Sequence, residues 1–259
     1  MIVRTIIFAS AVAGLLVVFV SFGAGVLGAQ QPHGAGIGGT VVLSAVYRIV
    51  CPDQGRTGTA FGYRSGRILT AAHVVEGCDL SKMTVSAYSG ATTRISLATT
   101  APDVDLALLT PTIADFVKAP LLLFSGDSLD VGTQVTTWGF PEGYTGTLPL
   151  LSVGYLAGPV DVGGVRKWAV NGAFNAGNSG GPLLETNGAY VIGVISSKYA
   201  PMPKDLELEL EGLGKKGSSE TKSIARILQH FRRQTQLVLG FATVTGDLRE
   251  FLRKRGVEP

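Results

Sequence analysis

The stretch GNSGGP, residues 177–182, decides how this chain is interpreted. Its serine, Ser179, carries a hydroxyl that is a poor nucleophile unless a neighbouring base removes the proton. The glycines around Ser179 let the backbone bend sharply and turn its N–H groups toward an oxyanion that develops during a reaction. The stretch therefore predicts a candidate nucleophile held in a tight turn.

Two segments upstream of this turn supply the base and the acid that such a serine needs. Residues 70–75, TAAHVV, place His73 directly after a β-rich run, and residues 101–109, APDVDLALL, place two aspartates before an apolar strand. We assign the acid to Asp105 because the apolar strand begins directly after it; Asp103, on the same face of an extended chain, is the alternative. The order His, Asp, Ser is one of several chain orders that produce the same triad geometry.

The composition and the spacing of apolar residues indicate an all-β fold. The chain has 259 residues, 46% of them hydrophobic, with 35 glycines and 12 prolines, which suits many short strands joined by turns. Two clusters of about six apolar or alternating runs, with no long helix between them, predict a β-sandwich or barrels. The strand candidates are residues 41–50, 58–63, 67–71, 83–87, 93–98, 106–109, 134–138, 150–157, 165–170, 181–184, 190–196 and 237–244.

Three segments of the last third of the chain have other patterns. Residues 223–233 and 247–255 carry apolar residues at helical spacing and are predicted helices. Residues 205–211 alternate between acidic residues and leucine, a period of two that predicts an exposed strand.

The charge balance argues against several classes of partner. The formal net charge is +3 and charged residues make up 16% of the chain, so we expect no nucleic-acid partner. The sequence has no nucleotide-binding glycine loop and no cysteine and histidine cluster at metal-ligand spacing, so we expect no cofactor and no metal. Nothing in the sequence indicates an oligomer.

The N-terminal segment differs from the rest of the chain because residues 6–29 carry no charge. A helix of that length spans about 36 Å, enough for a hydrocarbon core of about 30 Å. Arg4 is the only charged side chain before it, which predicts a cytoplasmic N-terminus with the remainder outside. We therefore expect a membrane anchor in residues 1–29, a flexible tether in 30–40 and a single domain in 41–259. A cleaved signal peptide is the alternative, and it exports the domain equally.

Cys51 and Cys78 are the only two cysteines. In an exported domain two cysteines favour a disulfide, which would tether the strand before His73 to the segment after it. Two buried free thiols are the alternative.

Taken together, the motifs resemble those of trypsin-like serine proteases of the HtrA/DegP type. The histidine motif of that family is similar to GTAFG at 58–62 followed by ILTAAHVV at 68–75, and its aspartate motif is similar to DLALL at 105–109. Its serine motif is similar to GNSGGPL at 177–183. The resemblance covers residues 40 to 255 or so and implies two six-stranded antiparallel barrels with the active site between them. Their expected bounds are residues 41–125 and 126–245, followed by a helix at 246–256.

The resemblance also implies a role for each site residue. His73 would be the general base, Asp105 would orient its imidazole, and Ser179 would be the nucleophile. The oxyanion hole would lie in the segment Gly177, Asn178 and Ser179, with the N–H groups of Gly177 and Ser179 as donors.

Substrate selection is implied by three further positions. Ala173 would form the base of the primary specificity pocket, and Ile195 and Ser196 would line its wall. None of them is acidic, so we expect cleavage after small or medium apolar residues such as Ala, Val or Leu. The acidic run at 205–211 is the alternative source of a counter-charge for Arg or Lys.

The sequence departs from related proteases at several points. Asn178 is neutral where digestive enzymes of this type have an aspartate that pairs with a freed N-terminus, so activation by trimming is not expected. The residues up to Pro259 leave no room for the PDZ domain of typical HtrA proteins, so regulation through one is not expected either. Residues 198–237 form an insertion that we expect to cap or gate the site.

These observations predict a membrane-anchored serine endopeptidase that acts on polypeptides outside the cytoplasmic membrane. One alternative is a catalytically silent homologue that binds extended peptides or partner proteins in the cleft. Another is an esterase using the same chemistry.

Overall fold

The fold consists of two successive units of antiparallel β-structure followed by a short helix. The computed structural model describes residues 35–126, 129–186, 190–198, 204–234 and 239–259. The strands are β1 (Val46–Cys51), β2 (Arg56–Tyr63), β3 (Arg67–Thr70), β4 (Thr84–Ala87), β5 (Thr92–Thr93), β6 (Ile95–Ala101), β7 (Leu106–Pro111), β8 (Gln134–Gly139), β9 (Leu150–Val162), β10 (Val165–Gly172), β11 (Pro182–Glu185), β12 (Val191–Lys198) and β13 (Leu239–Val244). The helices are α1 (Ala35–Ala45), α2 (Ala72–Val75), α3 (Lys204–Lys216), α4 (Ser219–Gln234) and α5 (Thr245–Arg253).

The first unit is a strongly curved sheet with the strand order β5-β4-β1-β2-β3-β7-β6. The expected closed, six-stranded barrel is therefore wrong in detail, because the strand predicted at 93–98 is interrupted at Arg94. Its first part, β5, pairs with β4, and its second part, β6, pairs with β7 at the other edge of the sheet. One continuous segment thus bridges the two edges without forming a closed ladder.

The second unit is a closed six-stranded barrel with the order β10-β13-β12-β11-β8-β9. This confirms the predicted second barrel. Its interior is filled by a cluster of buried apolar side chains, including Val135, Leu156, Val170 and Ile195. The strands alternate buried and exposed positions along β9, as expected for a barrel wall with one face on the core.

The N-terminal part of the first predicted strand is wrong. Residues 41–45 belong to helix α1, and the strand begins only at Val46. Val42, Ala45 and Val46 are spaced i, i+3, i+4, and all three are buried in one core cluster. Tertiary burial along this helical stripe outweighs the β preference of the valines. The last residues of the expected tether, 35–40, are also helical, and the rest of it lies outside the described residues.

The exposed strand predicted at 205–211 is also wrong, since these residues lie in helix α3. The leucines that alternate along a strand also recur at helical spacing. Leu210 is buried, whereas Leu208 is 70% exposed. Helix α4 confirms the helix predicted at 223–233. It lies beside α3, and its Ala225 is buried. The insertion is therefore a helical hairpin in its described part.

The disulfide between Cys51 and Cys78 is present, with 5.7 Å between the two Cα atoms. It joins the end of β1 to the segment that follows α2, so it closes the loop that carries His73. This confirms the pairing expected from the sequence.

The predicted membrane anchor, residues 1–29, lies outside the described residues. Within the described ranges, no helix is long and apolar enough to cross a membrane.

Candidate active site

His73 and Asp105 meet beyond the same end of strands β3 and β7 because these two strands are paired. The two strands are antiparallel, with Thr70 opposite Ala107. His73 follows the end of β3 by three residues and Asp105 directly precedes the start of β7, so both residues lie beyond the same end of this strand pair. The backbone of the histidine segment is held by Arg56, whose Nη1 donates to His73 O and, over 3.0 Å, to Glu76 O.

The Asp105 carboxylate forms hydrogen bonds with both the backbone and the side chain of His73. Oδ1 accepts a hydrogen bond from the His73 backbone N–H over 3.0 Å, and Oδ2 lies 2.9 Å from His73 Nδ1. A carboxylate in this position makes Nδ1 the protonated nitrogen and leaves Nε2 as the base. Asp103 is exposed, so the structure brings Asp105 and not Asp103 to the imidazole.

Asp105 has an unusual backbone and a perturbed carboxyl group. Its φ is +57°, a left-handed conformation that aspartate tolerates better than most residues. Burial raises the pKa of Asp105, but the hydrogen bonds and charge of His73, together with the Ser196 hydroxyl, lower it by more. The carboxyl group is therefore ionised at neutral pH. Because its folded-state pKa is lowered, it stabilises the fold there, and this contribution is lost as the pH falls through the folded-state pKa.

Ser179 lies in the turn that leads into β11, at the edge of the second barrel. The turn is fastened to β12, since Gly180 N–H donates to Ile195 O over 2.7 Å and Ile195 N–H donates to Gly181 O over 2.9 Å. Ser179 Oγ makes only a long contact of 3.4 Å to Ser196 O. Within the described residues no hydrogen bond joins Ser179 Oγ to His73 Nε2. Catalytic hydrogen bonds in unliganded sites often tighten only with substrate.

Anchored carbonyl groups set the direction of the N–H groups in this turn. A trans peptide points its N–H opposite its carbonyl, so the N–H groups of Gly177 and Ser179 face away from these anchors. Neither N–H donates to an acceptor among the described residues, which leaves both available to an oxyanion. Asn178 N–H is occupied, since it donates to Asn175 O over 3.1 Å. The anchoring hydrogen bonds run from Glu142 N to Ala176 O (2.7 Å), from Thr59 Oγ1 to Gly177 O (2.7 Å) and from Gly181 N to Asn178 O (2.9 Å).

Thr59 of β2 is a site residue that the sequence did not single out. It is fully buried. Besides the bond to Gly177 O, its Oγ1 accepts from Phe140 N–H over 3.0 Å, and its backbone N–H donates to Ser179 O over 2.9 Å. One residue of the first unit therefore holds the nucleophile turn of the second.

Of the three predicted pocket residues, one is exposed and two are buried. Ala173 is exposed. Ile195 belongs to the barrel core, and Ser196 is buried with its Oγ donating to Asp105 Oδ2 over 2.5 Å. The neighbour that sequence reasoning missed is Phe174, which is buried beside Ile195 in the barrel core. Its ring packs directly on Gly240, so no side chain fits at that position.

A cavity of about 270 Å³ opens beside the imidazole, whose side chain is 43% exposed. The cavity is lined by Ala72, His73, Val75, Glu76, Gly77, Thr100, Pro102 and Asp105. In the part of the chain that the structure describes, no group of three or more His, Cys, Asp or Glu side chains is placed to hold a metal ion.

Two antiparallel β-units, with a His–Asp pair on the first and a serine turn on the second, define the chymotrypsin-like fold. The active form of the protease Rv3671c from M. tuberculosis has this fold, with a TM-score of 0.61, 20% identity and coverage of 86% of both chains. The serine endoprotease from Yersinia pestis matches with a TM-score of 0.60 and 17% identity, covering 84% of this chain and 64% of that one. At these identities the likeness shows the fold alone.

The chain belongs to the trypsin-like peptidase family, whose domain model matches residues 58–194. Serine protease Do-like HtrA of Bacillus subtilis is 32% identical over 173 residues, which are 61% of this chain and 35% of the relative. Serine protease Rv3671c of Mycobacterium tuberculosis is 29% identical over 147 residues, 53% of this chain and 35% of the relative. The resemblance to HtrA-type proteases is thereby confirmed, although the matches span only 35% of the length of these two relatives.

Proposed function

We propose that this protein is a serine endopeptidase that hydrolyses peptide bonds through an acyl-enzyme. The observation that carries the proposal is the pair of hydrogen bonds between Asp105 and His73, which prepares Nε2 as a base. Ser179 on the adjoining turn is the nucleophile, and the N–H groups of Gly177 and Ser179 stabilise the oxyanion. Membership of the trypsin-like peptidase family supports this assignment.

The chemistry follows from these positions. His73 Nε2 takes the Ser179 proton as the hydroxyl attacks the substrate carbonyl, and it later gives the proton to the leaving amine. Asp105 stabilises the imidazolium that forms between these two steps. Water then repeats the sequence to release the acyl group from Ser179.

Labelling with a fluorophosphonate probe tests this proposal, because the probe bonds covalently to an activated serine hydroxyl and releases fluoride. We expect one label per chain, on the tryptic peptide that contains Ser179, and no label after heat denaturation. Digestion of casein by the same preparation distinguishes a protease from an esterase. An unlabelled, folded protein would favour the silent homologue that binds peptides, and the proposed activity would be wrong.

We propose a preference for small or medium apolar residues before the cleaved bond. The resemblance implies a pocket with Ala173 at its base and Ile195 and Ser196 of β12 along its wall. Phe174, the residue after Ala173, is buried in the same core cluster as Ile195, and its ring packs on Gly240. None of Ala173, Phe174, Ile195 and Ser196 is an acid that could offset the desolvation of a buried Lys or Arg, so side chains such as Ala, Val or Leu are preferred.

A substrate library should therefore show Ala, Val and Leu as the preferred residues at the cleaved position. The variant Phe174→Ala should extend the preference toward larger apolar residues, because it removes a large side chain directly after Ala173, the expected base of the pocket. A wild-type profile dominated by Arg or Lys would overturn the assignment and point to an acid of α3.

The location outside the cytoplasmic membrane and the anchor in residues 6–29 are proposed from the sequence alone. They rest on the length of the uncharged stretch and on Arg4 before it. Fractionation of cells that express the full chain would place it with the membranes, and recovery in the soluble fraction would contradict the anchor.

A further inference from the structure

Lys167 of β10 is buried behind the acid of the site, with only 8% of its surface exposed. Lysine is almost never buried at this level unless it has a partner. Its partner is a hydroxyl: Nζ donates to Ser196 Oγ over 2.6 Å. Ser196 Oγ in turn lies 2.5 Å from Asp105 Oδ2, so a continuous chain of hydrogen bonds links Lys167 to the carboxylate that holds His73.

The direction of every hydrogen bond in this chain is determined by chemistry. An ammonium group has donors only, and an ionised carboxylate has acceptors only. The single proton of the Ser196 hydroxyl must therefore point at Asp105, while a lone pair of the same oxygen accepts from Lys167. Lys167 thus removes the freedom of the Ser196 hydroxyl to turn away from Asp105.

Strand β13, next to β10, supports the turn that carries Asp105. Lys167 pairs with Thr243 of β13, and Thr243 Oγ1 donates to Val104 O over 3.0 Å. Two contacts from the second barrel therefore hold the left-handed turn at Asp105, one through its backbone and one through its carboxylate. Sequence spacing contains no signal for either contact.

The charged groups around Lys167 come from two packed elements. Asp105 faces it from the turn before β7, and Asp247 faces it from α5, while Asp103 and Glu250 act on Asp247. Burial lowers the pKa of Lys167, and the negative charges of Asp105 and Asp247 oppose that shift. From β12, Ser196 contributes a neutral hydroxyl, as does Thr243 from β13.

We propose that Lys167 is a positioning residue of the catalytic site, which directs the Ser196 hydroxyl at Asp105 and places a buried positive charge behind the carboxylate. This charge opposes the uptake of a proton by the His73–Asp105 pair. The His73–Asp105 pair therefore remains without the additional proton down to a lower pH than it would without Lys167. The inference rests on the proposed serine protease activity for its kinetic consequence, but its electrostatic consequence is measurable without turnover.

The test compares Lys167→Met with wild type by two measurements. In the first, NMR follows the imidazole titration of the His73–Asp105 pair at the His73 Cε1 proton, and we expect its midpoint to rise by about one pH unit. In the second, kcat/KM is measured against pH with a fluorogenic peptide that carries Ala at the cleaved position. Its acid limb should move by the same amount, which is about a tenfold loss on that limb and less than about threefold on the plateau.

Two further variants separate charge, hydrogen bond and folding. Lys167→Gln keeps a donor for Ser196 but removes the charge, so its midpoint should also rise, and it decides the question if Lys167→Met does not fold. Arg166→Met is the matched control, because Arg166 is the next residue on β10, carries the same charge and is exposed. Its midpoint should equal that of wild type.

The outcomes distinguish this inference from the proposed function. Unchanged midpoints in folded Lys167→Met and Lys167→Gln overturn the role of Lys167, as does an equal loss of kcat/KM at every pH. An equal shift in Arg166→Met overturns it too, since the effect would then be one of net charge. If the Lys167 variants show the expected NMR shifts but the wild-type protein hydrolyses no peptide, the proposed endopeptidase activity is wrong and the electrostatic role of Lys167 is supported.

Discussion

Ser179→Ala is expected to lower kcat/KM for a peptide substrate by about 10⁶-fold, the loss typical of removing a catalytic serine. In the proposed mechanism the variant removes the atom that forms the acyl-enzyme, whereas His73 and Asp105 remain in place. Folding should be unaffected, because the Ser179 hydroxyl makes only the 3.4 Å contact to Ser196 O. Initial rates of peptide hydrolysis measure the loss, and circular dichroism with a thermal melt checks the fold.

A matched control is available in Ser96→Ala. Ser96 is an exposed serine of β6, and its Oγ donates to Thr110 O over 3.1 Å. We expect its hydrolysis rate to stay within about twofold of wild type, in line with surface substitutions in general. Hydrolysis by purified Ser179→Ala at the wild-type rate would show that another group is the nucleophile.

Asp105→Asn is expected to lower kcat by about 10⁴-fold. The lowered pKa of Asp105 means that the carboxylate is ionised at neutral pH and accepts the Nδ1 proton of His73. An amide can turn its NH₂ group toward Nδ1, which then becomes the acceptor and places the remaining proton on Nε2. The base is lost while the geometry is retained, so kcat should fall far more than KM changes.

Asp103→Asn removes the same charge two residues earlier and serves as the control. Asp103 is exposed and is not hydrogen-bonded to His73 in the described structure. We expect kcat within about threefold of wild type for this variant. The reverse ranking of the two variants would transfer the orienting role to Asp103.

Local patterns were sufficient for the part of the site that lies within continuous motifs. The glycines around Ser179, the β-rich run before His73 and the apolar strand after Asp105 are each readable over fewer than ten residues. Most strands of both units were predictable in the same way, because a strand with one buried face shows a local alternation of apolar and polar residues. Predicting the disulfide between the two cysteines required only the expectation that the domain is exported.

The helices α1 and α3 show where local patterns fail. In both segments the apolar spacing is compatible with a strand and with a helix. Val42 and Ala45 are buried on a helical stripe against the core, and Leu210 is buried in α3, the helix that lies beside α4. The choice between the two structures depends on a surface that is supplied by residues far away in the sequence, so it is made only in the folded chain.

By itself, the sequence determined where most strands lie along the chain and which residues are the three catalytic candidates, because both depend on neighbouring residues. The tertiary structure alone decided which groups support the site: Thr59 holds the nucleophile turn from the other β-unit, Phe174 packs on Gly240, and Lys167 lies behind Asp105. Thr59 acts on a residue 118 positions later, and the Ser196 hydroxyl reaches back 91 positions to Asp105. Hydrogen bonds of this kind have no local sequence signature, because their energy depends on burial and geometry that exist only once the two units have folded together.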